Sequence, residues 1–217
     1  NERLEKYTMT KLGGVADVFV TPSNEKEAVA VIRFAAEKNI PVLMLGNGSN
    51  MVVRDGGVRG IVIHFNQLDQ IEVQGTTIYA EAGALLIHVS KAAAEHGLTG
   101  FEFACGIPGS VGGAMAMNAG AYGGEIKDVI FSCKVVTREG EVLTLSKDEL
   151  ELGYRKSIIA EKNYFVLSST FELQVGVQEE IDAKIADLTF QRESKQPLEY
   201  PPAASVFKRP PGYFAGK

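Results

Sequence analysis

The sequence predicts an α+β chain with two subdomains, residues 1–66 and 67–177, followed by the start of a third unit at 178–217. Three observations support this division. The chain begins with a strand, a helix and a strand, which is typical of a βαβ unit. The middle of the chain alternates like antiparallel strands with helical stretches between them. A charged helix and a proline-rich segment then mark a change in composition.

The first unit contains one predicted helix between two predicted strands. The extended segment ADVFVTP precedes the amphipathic segment SNEKEAVAVIRFAAEKN, and the short apolar segment PVLMLG follows it. Ser23 is the expected N-cap, which puts Lys26 at the third helical position, where a capping box would have Glu. Asn39 is expected at the end of the helix, before Pro41.

Further strands are expected in GIVIHF, QIEVQG and TIYAEAG, followed by a helix in LIHVSKAAAEHG. The segment VIFSCKVVTREGEVLTL predicts a hairpin that turns at Glu139 and Gly140, and YFVLSSTFELQVG predicts another strand. These strands are expected to form an antiparallel sheet with helices at one side. From Gln178, QEEIDAKIADLTFQRESKQ predicts a charged amphipathic helix.

The composition is that of an ordinary globular chain and excludes several classes of function. The 217 residues are 45% hydrophobic with a net charge of −5, and no basic cluster alternates with aromatics, so nucleic acid is not an expected partner. Cys105 and Cys133 are too few for a disulfide framework, and no metal-ligand spacing occurs. No membrane span or signal peptide is recognised, which predicts a cytoplasmic location. No protein partner is inferred.

The densest glycine cluster lies between Cys105 and Glu125, in CGIPGSVGGAMAMNAGAYGGE. Positions 106–124 hold seven glycines and four alanines among nineteen residues. Glycine loses the most conformational entropy on folding, so this run needs a compensating gain, such as φ > 0 turns or close approach to a ligand. Exposed backbone N–H groups suit a phosphate. A plain glycine-rich loop is the structural alternative.

A second candidate loop, GNGSN at residues 46–50, directly follows the strand PVLMLG. A strand that ends in Gly-x-Gly suggests dinucleotide binding, but Met51 occupies the third glycine position and VVRDGGVRG does not open a helix, which disfavours a Rossmann domain. The N–H groups, with Ser49 and Asn50, are suited to a pyrophosphate, and a plain turn is the alternative. Two such loops favour one long ligand that bridges the two subdomains.

Four motifs occur in order along the chain: KLGGVADVFV, LGNGSNMVV with GIPGSVGGAMAMNAGAYGGE, YRKS at 154–157, and SVFKRPPG at 205–212. Together they resemble the FAD-binding domain of the vanillyl-alcohol-oxidase (PCMH) type, and more narrowly the UDP-N-acetylenolpyruvoylglucosamine reductases of peptidoglycan synthesis. The resemblance covers nearly the whole chain. It implies NADPH-dependent, FAD-mediated reduction of a nucleotide sugar, UDP-N-acetylglucosamine enolpyruvate, to UDP-N-acetylmuramate.

In this family the two glycine loops enclose FAD. The resemblance therefore implies that the cofactor-binding residues are Gly46, Asn47, Gly48, Ser49, Asn50, Gly106, Pro108, Gly109, Ser110, Gly112, Gly113, Ala114, Asn118, Gly120 and Gly124. Related oxidases attach flavin covalently through a histidine in the first loop; this loop has none, so non-covalent FAD is expected. His64, His88 and His96 are expected to be structural and to lie away from these motifs.

The resemblance also implies catalytic roles for Arg155 in YRKS and Ser205 in SVFKRP. A guanidinium binds a carboxylate bidentately and stabilises the charge that develops during reduction of the enol ether. Ser205 matches the family's proton donor; because serine is a weak acid, Lys208 or a water is expected to assist it. The alternatives are a surface arginine that begins a turn and a serine that starts a strand.

The resemblance also implies four contacts to the nucleotide sugar, namely Tyr154, Arg155, Lys195 and Arg209. Taken by itself, Lys195 is equally typical of a solvated charge at the end of a helix. The short interval between Arg155 and Ser205 resembles the second, shorter subtype.

Two positions depart from the pattern: Val15 replaces a proline, and Ala204 replaces a glycine before Ser205. The family's C-terminal catalytic glutamate has no counterpart in this sequence. Either the protein is truncated, in which case weaker FAD binding and loss of turnover are expected, or its remaining part lies outside this sequence. Another flavin oxidase of this fold, or a noncatalytic flavin-binding module, remains an alternative.

Overall fold

A computed structural model describes residues 1–195 of the chain. Its first sheet has four strands in the order β1-β2-β4-β3, namely β1 (Glu2–Arg3), β2 (Val15–Val20), β3 (Val42–Leu45) and β4 (Val58–His64). Strands β2 and β3 both run parallel to β4, which lies between them. Helix α1 (Glu25–Glu37) makes the crossover from β2 to β3, so the predicted βαβ unit is confirmed.

Helix α1 begins one residue later than predicted. Asn24 is the N-cap, because its side chain accepts a hydrogen bond from the Glu27 backbone N–H at 3.0 Å. Ser23 instead donates its backbone N–H and its hydroxyl to the Glu27 carboxylate, both at 2.8 Å. Glu27, not Lys26, is therefore the third helical residue, in agreement with the usual preference for Glu there. The Ser23 prediction is wrong because serine and asparagine cap helices about equally well.

The second sheet has five antiparallel strands in the order β11-β10-β12-β6-β5. The strands of the second part of the chain are β5 (Ile71–Gln74), β6 (Thr77–Glu81), β7 (Leu98–Thr99), β8 (Gly120–Ala121), β9 (Gly124–Glu125), β10 (Ile130–Val136), β11 (Val142–Ser146), β12 (Phe165–Glu172) and β13 (Gln174–Val175). Its helices are α2 (Leu86–Glu95), α3 (Val111–Met117), α4 (Ile126–Val129), α5 (Ile158–Lys162) and α6 (Gln178–Lys195). The α+β class is confirmed, and the predicted β10–β11 hairpin turns at Gly140 with φ 87°.

The larger of two hydrophobic clusters runs through both sheets, and the smaller one, with Leu4, Leu45 and Val62, lies at the first sheet. The apolar face of α1, with Ala28 and Ile32, belongs to the same buried cluster as β6, β12 and α2. Helix α1 also bonds to the β10–β11 turn, since Arg33 Nε donates to the Gly140 carbonyl at 2.9 Å. The strands of the two sheets do not interleave along the chain, which supports a boundary near residue 66. The division into 1–66, 67–177 and 178–217 itself stays a prediction.

Helix α6 docks on the segment before the glycine run through a buried carboxylate. Glu102 is 3% exposed and accepts hydrogen bonds from the Thr99 hydroxyl at 2.6 Å, the Gly100 N–H at 3.0 Å and Lys184 Nζ at 3.1 Å. Burial alone would raise the pKa of Glu102, but these hydrogen bonds outweigh it and lower the pKa. Within residues 1–195, no helix is both long and apolar enough to span a membrane.

Candidate functional site

The first glycine loop, residues 46–50, leaves the end of β3 and is supported from behind by the amino-terminal segment. The Met9 N–H donates to the Gly48 carbonyl at 3.1 Å. Gly48 has φ 60°, and a Cβ at this position would overlap the Tyr7 carbonyl oxygen and lie 2.8 Å from Thr8 Cα. This glycine is therefore required both by its left-handed backbone and by the close approach of another chain segment.

The backbone N–H groups of residues 46–50 donate to no other protein group within the described part of the chain. Adjacent N–H groups on a short loop after a strand form an anion-binding surface. Gly48 is the one buried residue of this loop, whereas Asn47 and Asn50 are exposed, so these donors need water or a ligand with several acceptor oxygens as partners. A pyrophosphate meets that requirement.

The two glycine loops lie in contact with each other. Asn47 Nδ2 donates to the Pro108 carbonyl at 2.7 Å. A Cβ on Gly46 would overlap the Ser110 hydroxyl, and one on Gly109 would lie 3.7 Å from the Ser49 hydroxyl. The structure thus brings together the predicted residues of the two loops, although they are far apart in sequence.

The glycine run contains a helix, α3, that the sequence did not predict. Its first N–H groups are already used, because Val111 donates to the Ala84 carbonyl and Gly112 to the Ala82 carbonyl, both at 2.8 Å. Ala114 is buried, with 3% exposure. The first two N–H groups of this helix are therefore not available to a phosphate, while the expectation that the glycine run contacts FAD stays a prediction.

Several glycines of the run are explained by packing within the protein. A Cβ on Gly112 would lie 3.2 Å from Ala82, one on Gly124 would lie 2.7 Å from the Phe103 ring, and one on Gly120 would lie 2.6 Å from the Gly124 carbonyl. Gly106 is similarly close to Arg192 of α6, at 2.6 Å. A Cβ on Gly109 or Gly113 would instead make ordinary contacts at 3.7 Å, with the hydroxyls of Ser49 and Ser110 respectively. FAD contact at each of these glycines stays a prediction.

A polar cavity of about 200 Å³ opens between the two loops and the start of α2. It is lined by Gly46, Asn47, His64, Asn66, Asp69, Gly83, Leu85, His88 and Ser110. The expectation that the histidines lie away from the motifs is therefore wrong for His64 and His88. His64 ends β4 and pairs in register with Leu45, the residue before the loop, which brings it to the cavity.

His64 is buried, with 9% exposure, and its Nδ1 has no hydrogen-bond partner. Its ring lies edge-on to Tyr7 at 5.2 Å between centroids. Burial lowers the pKa of His64, and a hydrogen bond with the Gly46 backbone opposes part of this shift. A neutral imidazole is therefore favoured beside the loop.

Arg155 and Tyr154 lie on a tight turn that is closed by reciprocal hydrogen bonds between Gly153 and Lys156, at 3.0 and 3.1 Å. Arg155 has φ 55°, a conformation disfavoured for residues with a Cβ. The Arg155 guanidinium lies 5.4 Å from the centre of the Tyr154 ring, and both side chains are exposed. The turn thus presents a cation and an aromatic ring together at the surface.

Asn118 follows α3 and connects this turn to the glycine run. It is 1% exposed, and its side-chain amide donates to the Gly153 carbonyl at 2.9 Å. Its backbone carbonyl accepts a long hydrogen bond of 3.5 Å from Arg155 Nη1. Sequence reasoning placed Asn118 among the flavin ligands; in the structure its side chain is occupied by protein partners.

Lys195 is the last residue of α6 and is exposed, with Nζ 3.4 Å from Gln191 Oε1. Ser205, Lys208 and Arg209 lie outside the described residues. A separate open depression of about 360 Å³ is lined by the charged side chains of Lys127, Asp128, Lys147, Asp148 and Glu151. It contains none of the candidate residues, and its mixed charge gives it no clear ligand. Among residues 1–195, no three His, Cys, Asp or Glu side chains form a group suited to a metal.

Comparison with known proteins gives concordant results. Residues 16–146 match the model of an FAD binding domain. The chain is 58% identical over all 217 residues to UDP-N-acetylenolpyruvoylglucosamine reductase 2 of Bacillus cereus, of which it covers 71%. It is 54% identical to UDP-N-acetylenolpyruvoylglucosamine reductase of Exiguobacterium sibiricum, again covering 71% of that protein. The crystal structure of UDP-N-acetylenolpyruvylglucosamine reductase (MurB) from Thermus caldophilus superposes with a TM-score of 0.86 at 32% identity, covering 99% of this chain and 76% of that one.

Proposed function

The chain belongs to the UDP-N-acetylenolpyruvoylglucosamine reductase family, and from this premise we propose that it catalyses NADPH-dependent reduction of UDP-N-acetylglucosamine enolpyruvate to UDP-N-acetylmuramate in peptidoglycan synthesis. FAD is its cofactor. One observation in this chain's own site supports the proposal most strongly. The backbone N–H groups of residues 46–50 have no protein partner in the described part of the chain, and this loop contacts the glycine run.

These residues fit FAD. Residues 46–50 provide donors for the pyrophosphate, and the cavity of about 200 Å³ opens beside Gly46, Asn47 and Ser110. The Asn47–Pro108 hydrogen bond holds the two loops at a fixed separation. When bound, FAD supplies a carrier for the two electrons that pass from NADPH to the substrate. No histidine side chain belongs to the loop itself, which agrees with non-covalent binding.

Arg155 is proposed to bind the carboxylate of the enolpyruvyl group. Reduction of that group builds negative charge on the carboxylate side, and a guanidinium is charged at any relevant pH. The guanidinium lies over the Tyr154 ring and donates a long hydrogen bond of 3.5 Å to the Asn118 carbonyl, so its charge is partly preorganised. Tyr154 lies against the guanidinium and is proposed to contact the nucleotide sugar.

Ser205, Lys195 and Arg209 complete the proposed site by resemblance to the family. Ser205 is assigned as the proton donor to the substrate carbon, and Lys195 and Arg209 as contacts to the nucleotide sugar. Of the three, Lys195 lies in the described chain, exposed at the end of α6. We place the enzyme in the cytoplasm; the free thiols of Cys105 and Cys133 agree with a reducing compartment.

The test uses the full-length protein with FAD, kept free of oxygen. NADPH should bleach the flavin absorbance, and the enolpyruvyl nucleotide sugar should restore it. Arg155→Ala should bind FAD normally and slow this restoration by about 10²-fold or more, the usual scale for loss of a transition-state contact. Arg138→Ala, an exposed arginine on the β10–β11 turn, is the matched control.

Absence of any restoration by the nucleotide sugar in the wild-type protein would overturn the proposed activity. Rapid restoration by oxygen after reduction with a sugar or alcohol would instead indicate an oxidase of the same fold. A protein that binds FAD but accepts no electrons would be a noncatalytic flavin-binding module.

A further inference from the structure

Asn118 is buried at the end of α3, and its side chain makes three hydrogen bonds to other residues. Its Nδ2 donates to Glu125 Oε2 at 2.7 Å and to the Gly153 carbonyl at 2.9 Å, and its Oδ1 accepts from the Lys127 N–H at 2.9 Å. The residue adopts φ 41° and is 1% exposed. Both amide hydrogens are therefore used within the protein, and one of them holds the turn that carries Arg155.

Ser157 makes a second connection between the same two segments. Its hydroxyl donates to the Ala116 carbonyl in α3 at 2.7 Å and accepts from the Ala160 N–H at 3.1 Å, which caps α5. Ser157 is 0% exposed. The turn at Gly153–Lys156 is thus bonded to the end of α3 on both sides, by Asn118 before the turn's tip and by Ser157 after it.

The turn needs this support because of Arg155. The residue occupies the third position of the four-residue turn 153–156 with φ 55°, where glycine is usually found. A side-chain-bearing residue keeps such a conformation only when its surroundings over-determine it. The paired hydrogen bonds between Gly153 and Lys156 close the turn, but they do not fix its position relative to the cofactor loops.

We propose that Asn118 and Ser157, here called the turn clamp, are positioning residues that fix Arg155 relative to the glycine run. This inference rests on the proposed function, since it gives the clamp a role through the substrate-binding arginine. Aspartate at 118 would lose both donated bonds and place a second carboxylate beside Glu125, so the amide is specifically required.

The test uses the full-length, FAD-loaded protein and the variants Ser157→Ala and Asn118→Ala. Each should bind FAD and slow restoration of the flavin absorbance by the nucleotide sugar by about 10- to 100-fold, as expected when a binding group moves by about 1 Å. Reduction by NADPH should change far less. Amide hydrogen exchange at Gly153 and Lys156, measured without substrate, should become faster. Asn24→Ala, which removes the N-cap of α1, controls for general destabilisation.

The double variants decide whether the clamp acts through Arg155. In an Arg155→Ala background, Ser157→Ala should slow restoration by less than about twofold more, because the positioned group is already absent. An equal loss in both backgrounds, or unchanged exchange at Gly153 and Lys156 in the single variants, overturns the inference. If Arg155→Ala alone has no effect, the proposed role of Arg155 fails. The amide exchange rates at Gly153 and Lys156 then test by themselves whether the turn clamp fixes the turn. Should Asn118→Ala fail to bind FAD, Ser157→Ala decides the question.

Discussion

Gly48→Ala is expected to destabilise the protein and weaken its binding of FAD. The substitution puts a Cβ on a residue with φ 60°, onto the Tyr7 carbonyl oxygen and 2.8 Å from Thr8 Cα. The left-handed conformation costs alanine about 1–2 kcal/mol. Overpacking against backbone, which has no rotamer to change, adds about 1–3 kcal/mol. The expected loss in the free energy of unfolding is therefore about 2–5 kcal/mol.

Calorimetry on the full-length protein measures this loss as a decrease in the melting temperature, Tm. For a domain of this size each kcal/mol corresponds to about 2–4 °C, so Gly48→Ala should lower Tm by roughly 4–20 °C. FAD titration should show weaker binding, because relief of the clash moves the donor loop or the segment behind it. A Tm within about 1 °C of wild type, with unchanged FAD affinity, would refute the packing argument.

Two further glycines provide matched comparisons. A Cβ on Gly56 would meet no atom within 4 Å, and this residue has no positive φ, so Gly56→Ala should be neutral or stabilising by up to about 1 kcal/mol. Gly46→Ala overlaps the Ser110 hydroxyl, while Ser110 Cβ lies at an ordinary 3.6 Å. Adding Ser110→Ala should therefore restore stability to Gly46→Ala, whereas it should not help Gly48→Ala.

Three other outcomes are expected. The folded-state pKa of Glu102 is lowered, so its contribution to stability is present above its ordinary pKa and is lost as pH falls through the lower value. Lys184→Met removes one of the hydrogen bonds that lower this pKa. The free energy of unfolding, measured with urea between about pH 3 and 6, should therefore fall less steeply with decreasing pH in this variant. Burial lowers the pKa of His64, so its contribution to stability is fully present above the ordinary value of 6.5 and falls as the pH drops below that value. His64→Asn should make the free energy of unfolding depend less on pH in the same assay. An unchanged pH dependence would contradict this account of His64. Burial raises the pKa of Cys133 to about 12, so a thiol reagent such as DTNB should modify the half-buried Cys105 in the native protein and reach Cys133 only after unfolding.

Sequence pattern was sufficient where local periodicity decides the structure. Helix α1 and the β10–β11 hairpin are confirmed because their apolar spacing and turn residues are local signals. Helix α3 was not predicted, since Gly112 and Gly113 have low helix propensity. It forms because Val111 and Met115 are fully buried and Gly112 packs against Ala82, contacts that only the folded chain supplies.

The two loops of the candidate site could be found from sequence, but their hydrogen bonding could not. Both glycine loops were identified from sequence, and the structure brings them into contact. The hydrogen bonds that occupy the first two N–H groups of α3 run to the carbonyls of Ala84 and Ala82, and no motif reveals them. The approach of His64 to the loop follows from the register of β3 and β4, again a tertiary property. Ser157 offered one signal, since a serine before a helical stretch is a typical N-cap.

The support of the first loop by Tyr7–Met9 has a consequence for local unfolding. Because the Gly48 carbonyl is bonded to the Met9 N–H, the amino-terminal segment and the donor loop are expected to open together as one cooperative unit. A ligand that binds only the closed loop then stabilises both by mass action, and its protection against proteolysis and amide exchange should extend to Tyr7–Met9. A change at this segment, such as a fused tag or a substitution at Thr8, therefore alters cofactor retention without touching the cofactor.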